Sequence, residues 1–307
     1  MISIMSGPVQ KLQDFVQWAD SVSDPRTSSW LLMSSPLITY SLVALYFLLV
    51  YVGPRWMSSR NAFILKVPML IYNAALVLLS AFMFREFFVP TIMNPKFNAV
   101  CQAVDYSNDE MSVRLAGACW WFFFSKIIEL LDTVIFILRK KDSQISFLHV
   151  YHHATMPLLW WIGVRWIPGG ASYFSGMVNC LIHVLMYGYY FLSALGPSIQ
   201  PYLWWKKYLT SLQLVQFVVV LIHSMIVLYQ DCGFPRGYVY ALIAYLISHI
   251  ILFSNFFHKA YVVKGKKSRA KKPVEQNDKA ENDMDSPRRN GRYNLRERPA
   301  GRTPYRE

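Results

Sequence analysis

Apolar residues in this chain are gathered into long unbroken runs instead of alternating with polar ones. Seven runs stand out, at about 36–53, 67–84, 113–138, 145–166, 173–195, 208–229 and 238–261. Each approaches or exceeds the roughly 20 residues that a helix needs to cross the hydrocarbon core of a bilayer. The pattern predicts an all-α, polytopic membrane protein with seven transmembrane helices. Several of the runs end at strong breakers, namely Gly53-Pro54, Pro168-Gly169-Gly170 and Gly196-Pro197. A polar stretch at 85–111 holds Pro90, Pro95, Cys101, Asp105 and Asp109 and separates the second run from the third. The first 33 residues lack a basic segment followed by an apolar core and a small-residue cleavage site, so no cleavable signal peptide is expected.

Composition agrees with this reading: 54% of the 307 residues are hydrophobic and 16% aromatic, too apolar for an ordinary soluble chain. Charge then sets the orientation, because short cytoplasmic loops carry the excess of Lys and Arg. The loops after runs one, three and five hold Arg55/Arg60/Lys66, Arg139/Lys140/Lys141 and Lys206/Lys207, and Lys264 to Lys272 follow run seven. The intervening loops hold only isolated Arg85, Lys96 and Arg236. The N-terminus is therefore expected in a lumen and the C-terminus in the cytosol. Three regions result: a lumenal segment at 1–33, a transmembrane domain at 34–261 and a basic tail at 262–307. That tail has 14 basic against 7 acidic residues, more than half of the formal +13, and reads as a disordered segment attracted to anionic membrane lipid. No nucleic-acid-binding fold accompanies it. Of four cysteines, Cys101 and Cys232 both fall in loops on the oxidising side, which predicts a bridge between them, while Cys119 and Cys180 lie inside spans.

Polar residues at membrane depth carry the candidate chemistry. His149, His152 and His153 sit on one turn of the fourth run, and ionisable groups at that depth normally face a bundle interior or a wet cavity. The third run carries Lys126, Glu129 and Thr133 at helical spacing, with Asp132 displaced around the helix. The fifth puts Asn179, His183, Tyr187 and Tyr190 on one stripe, and the sixth repeats Thr210, Gln213 and Gln216. Four helices with one polar face each imply a cavity between them, since such faces are costly against lipid. An imidazole cluster suits a metal or a metal-free nucleophile and acid/base site equally well.

The runs HxxHH (His149 to His153), KxxELxDT (Lys126 to Thr133), NxxxHxxMYxYY (Asn179 to Tyr190) and TxxQxxQ (Thr210 to Gln216) resemble, in order, the four signatures of the fatty acid elongases. The likeness covers about residues 30–260. Residues 101–108 and 149–163 are most similar to the branch acting on very long saturated and polyunsaturated chains.

That resemblance implies a barrel of helices around a buried acyl cavity in the endoplasmic-reticulum membrane. It also implies a 3-oxoacyl-CoA synthase that condenses malonyl-CoA with an acyl-CoA, needs no cofactor, and works with the reductases and dehydratase of the cycle, alone or in homo- or hetero-oligomers. His152 is the expected nucleophile, forming an acyl-imidazole, with His149 and His153 orienting it or moving protons. His183 and Asn179 are expected to donate to developing oxyanions, and Cys180 is a weaker rival nucleophile. The expected substrate-binding set is Lys126, Glu129, Asp132, Tyr187, Tyr190, Gln213 and Gln216, with Arg139, Lys140, Lys141, Lys206 and Lys207 near the CoA phosphates. The acyl tail is expected to run toward the turn at 168–171. A di-iron oxidase also uses HxxHH, but seven histidines, four of them scattered singly, disfavour it.

Overall fold

A computed structural model describes residues 7–263; the expectations for Lys264 to Lys272 and the rest of the tail lie outside the described residues. Described elements are all helical: α1 (Pro8–Ser21), α2 (Pro36–Met57), α3 (Lys66–Met93), α4 (Glu110–Ile128), α5 (Leu131–Leu138), α6 (Phe147–Trp166), α7 (Ser172–Leu195), α8 (Lys206–Gln230) and α9 (Arg236–Phe257). A short π-helical turn, His258–Val263, continues from α9. Helices α2, α3, α7, α8 and α9 are long and apolar enough to cross a membrane. Helices α4 and α6 have the length but carry buried charge and imidazoles that dilute their hydropathy.

Two boundaries differ from the expectation. Pro54 does not end α2, which continues through it to Met57; Gly53 instead serves close packing, since a Cβ there would lie 2.8 Å from Ile137 Cδ1. The third apolar run is not one helix. It breaks after Ile128 and resumes at Leu131, for reasons that lie in the site itself.

Helix α3 packs along α7 over the most extensive interface in the molecule. The cause is legible in spacing: α3 buries Asn73, Leu76, Ser80, Met83, Phe87 and Pro90, and α7 buries Tyr173, Gly176, Cys180, His183 and Tyr187. Both series step alternately by three and four, the stripe that keeps one helical face turned to a neighbour. From this pair the ring continues through α4 to α6 on one side and through α8 to α9 on the other. Helices α6 and α9 then meet through side chains, closing six helices around a common interior. Helix α2 stands outside, packed on α5 and α6.

One end of the ring is heavily tied. Trp161 Nε1 donates to Leu32 O, Trp166 Nε1 to Ala19 O and Trp120 Nε1 to Leu31 O, so α1 and the segment after it lie across the ends of α4 and α6. Asp24 and Thr27 are fully buried there, with Thr27 Oγ1 donating to Val164 O. The turn between α6 and α7 uses Gly170 at φ +52°, and a Cβ there would meet Val104 N at 2.8 Å, which only glycine avoids. The expected Cys101–Cys232 disulfide is present and joins the α3–α4 and α8–α9 loops across 131 residues of chain. At the opposite end Lys140 Nζ donates to Ser58 O, and Phe63 N to Leu138 O.

Closing a loop of this length removes unfolded-state entropy worth about 4–5 kcal/mol. Cys232→Ser should therefore lower the thermal unfolding midpoint in detergent by several degrees. Alkylation of the denatured, unreduced wild type should label two thiols, those of Cys119 and Cys180.

Candidate functional site

The break after α4 originates in its chemistry. Glu129 N–H still bonds Ser125 O, but Leu130, Asp132 and Thr133 donate to carbonyls only three residues back, a tighter turn that rotates α5 relative to α4. The residues expected on one stripe are thereby divided. Lys126 and Glu129 turn toward α7, whereas Thr133 turns toward α6, its Oγ1 lying 2.7 Å from His149 Nε2 and donating to Tyr46 Oη at 3.2 Å.

Lys126 and Glu129, each 2% exposed, form a 2.8 Å ion pair one helical turn apart. Charges so deep are retained only with several partners. Lys126 Nζ also donates to Asn179 Oδ1 at 3.2 Å, and Glu129 Oε1 lies 3.3 Å from His183 Nδ1. His183 Nδ1 also lies 3.5 Å from Lys126 Nζ, so this nitrogen stands between a group that only donates and one that only accepts. An ammonium only donates, so the Asn179 amide is fixed with its oxygen toward Lys126 and its NH2 turned elsewhere. Next along α7, Tyr187 Oη donates to Asp132 Oδ2 at 2.9 Å.

Across the ring the three clustered histidines separate. His149 is held by Thr133; His153 lies between its neighbours, 4.2 Å from the His149 ring and 5.5 Å from that of His152. His152 faces α9, where its Nδ1 is 3.2 Å from His249 Nε2. His249 is a scattered singleton in the sequence, yet it is 1% exposed and joins the cluster. Its Nδ1 donates to Tyr245 O at 2.9 Å, because a carbonyl cannot donate. In the neutral ring Nε2 must then accept, so His152 Nδ1 carries a hydrogen and His152 Nε2 holds the free lone pair.

These groups border an apolar cavity of about 510 Å³. His152, Asn179, Gln216 and His249 line one end; Phe122, Met156, Trp160 and Phe217 form walls; Ile167, Ala171, Val227 and Phe234 close the other. Of the turn at 168–171, the expected destination of an acyl tail, only Ala171 reaches the cavity. His149, His153, His183, Lys126 and Glu129 stand behind its wall, and Cys180 is wholly buried in the core among Cys119 and Phe122. Gln213 is engaged with Met186 Sδ, and Tyr190 packs edge-on against Tyr187 and Tyr189. Lys206 and Lys207 are exposed at the start of α8, and Arg139 and Lys140 come directly after α5 at that same end.

A ring of membrane-length helices with an apolar interior and a hydrogen-bonded cluster of imidazole, amide and ion pair defines a polytopic helical membrane protein with a buried polar centre. Residues 31–269 match the model of the GNS1/SUR4 (ELO) family, and the chain belongs to that family. Mouse very long chain fatty acid elongase 4 is 51% identical over 261 residues, covering 85% of this chain and 83% of the relative. The human protein of that name is 50% identical over the same length and shares. Very long chain fatty acid elongase 5 of Tachysurus fulvidraco is 47% identical over 253 residues, covering 82% and 85%. The resemblance carried by the four motifs is thus upheld along most of the chain.

Removing one member of a buried ion pair strands the other at a cost of about 3–5 kcal/mol, whereas removing both charges costs far less. Lys126→Met should accordingly lower the thermal midpoint in detergent more than the double variant Lys126→Met/Glu129→Gln does.

Proposed function

We propose that this protein is the condensing enzyme of fatty acid elongation, a 3-oxoacyl-CoA synthase that joins malonyl-CoA to a long or very long acyl-CoA. The observation that carries this reading is the His249–His152 hydrogen bond at the polar end of an apolar cavity: it supplies an imidazole nitrogen with a free lone pair beside space for a hydrocarbon tail. Names of similar proteins support the substrate class.

In this reading His152 Nε2 attacks the acyl thioester carbonyl, CoA departs as a thiolate that takes a proton, and an acyl-imidazole remains. The Asn179 NH2, oriented by Lys126, donates to the oxyanion. Malonyl-CoA then loses CO2, and the resulting enolate carbon attacks the acyl-imidazole, forming the 3-oxoacyl-CoA and freeing His152. His183, which stands behind the cavity wall with its Nδ1 facing both Lys126 and Glu129, supports Asn179 from behind in this reading. His149 and His153 hold the ring of His152 in place. Asp132, Tyr187, Tyr190, Gln213 and Gln216 shape the polar end. Arg139, Lys140, Lys206 and Lys207 offer charge to the CoA phosphates at the end where these residues gather.

Seven spans belong to this reading, with α4 and α5 together as one and α6 as another, in the endoplasmic-reticulum membrane. The disulfide end faces the lumen and the lysine-rich end the cytosol. Partners are acyl-CoA, malonyl-CoA, membrane lipid and the reductases and dehydratase that complete the cycle.

Membranes containing wild type or His152→Ala, given labelled malonyl-CoA and a panel of acyl-CoAs with iron and chelator varied, test the chemistry. Metal-independent label in chains two carbons longer is expected from wild type, with loss of about 10³-fold or more in the variant. Iron-dependent oxidation with no label in acyl chains overturns it. His249→Gln, which keeps an acceptor for His152 Nδ1–H, should retain more activity than His249→Leu, by about 10-fold or more.

A further inference from the structure

The seam between α6 and α9 has two halves of opposite character. Near the lysine-rich end it is a ladder of polar rungs: Tyr151 Oη to Ser248 Oγ at 3.0 Å, His152 to His249 at 3.2 Å and Thr155 Oγ1 to Tyr245 Oη at 2.9 Å. From the first two rungs to the third the seam climbs α6 and descends α9 by steps of three and four residues, as antiparallel helices require. The same register carried onward sets Leu159 against Ala241 and Gly163 against Gly237. No hydrogen bond joins the two helices there among the described residues, and Gly163, Gly237 and Ala241 offer little side chain to close the space.

All four of these residues border the cavity, and Leu159 is 40% exposed, with Gly237 and Ala241 exposed as well. A Cβ built on Gly163 or Gly237 meets no atom within 4 Å, in contrast to Gly176, where it would strike Phe87 Cζ at 2.6 Å. Glycine costs these helices propensity without being required by close packing at either position. Beyond the gap the seam shuts again, where Trp166 and Ile167 join Phe234, Tyr238 and Val239 in one apolar cluster.

We propose that this gap is a lateral window through which the distal part of an acyl chain leaves the cavity for the bilayer. The proposal rests on the condensing-enzyme reading for the identity of the occupant. Length supplies the need for it: from His152 to Ile167 along α6 is about 22 Å at 1.5 Å per residue, the extended length of roughly 18 carbons at about 1.25 Å each. A longer tail has no straight room before the closed floor. The window lies beside that floor, is walled by apolar groups and opens on the surface that faces lipid. A hydrocarbon tail satisfies both sides of it, since it exchanges apolar cavity for apolar solvent.

Acyl-CoAs of 16 and 26 carbons with a diazirine on the terminal carbon test this in native membranes. Irradiation should join the 16-carbon tip to the floor around Val227 and Phe234. It should join the 26-carbon tip to the outer seam at 158–162 and 240–244, with competition by unlabelled 26-carbon acyl-CoA. Gly163→Leu and Gly237→Leu, which fill the gap, should abolish the seam adducts and lower the ratio of 26-carbon to 16-carbon extension by about tenfold or more. Floor adducts from both chains, or an unchanged ratio in both variants, overturns the window. Competed seam adducts in a protein that never extends either chain uphold the window and remove the condensing-enzyme reading instead.

Discussion

The polar centre depends on a single ion pair placed where water cannot relieve it. Lys126 and Glu129 are one helical turn apart, and the pair is satisfied only by reaching beyond itself to Asn179 and His183 on α7. That demand explains the shape of the backbone nearby. The chain abandons regular helix just after Glu129, and the tightened turn delivers Thr133 to His149 and Asp132 to Tyr187. One electrostatic constraint therefore fixes the orientation of an amide and the connection of α5 to its neighbours.

On the facing side of the cavity the logic is similar but uncharged. A backbone carbonyl of α9 fixes the proton of His249, which fixes that of His152. Directional hydrogen bonding passes from main chain to the His152 ring in two steps, and neither step needs a formal charge. The two networks meet only at the cavity, where His152 and Asn179 share its polar end. This division leaves the ion pair behind the cavity wall while His152 lines the cavity itself.

Much of this was legible from the chain. Apolar run length and breaker residues placed the long helices, and the alternation of basic loops placed Cys101 and Cys232 on one side, where the bond is found. Spacing identified Lys126 with Glu129 and Asn179 with His183 as neighbours on their own helices. What escaped was everything that depends on contact between distant helices. His249 carried no local pattern, because its partner is 97 residues away, and nothing marks a lone histidine in an apolar run as part of a cluster. The interruption after Ile128 escaped as well, since the sequence there has no glycine or proline and the cause is a tertiary charge network. Pro54 misled in the opposite sense, because α2 passes through it and the adjacent glycine answers to packing against Ile137.

The disulfide has a mechanical consequence. It pins the turn of the α8–α9 hairpin to the α3–α4 loop, while the far end of α8 runs on through residues 196–205 into α7 and the far end of α9 leads into the turn His258–Val263. Of the two arms, α9 alone has no second chain connection into the ring among the described residues, so it is the arm freer to swing about the bridge. Displacement about that anchor grows with distance along α9, so its end far from the bridge moves at less cost than the bridged end.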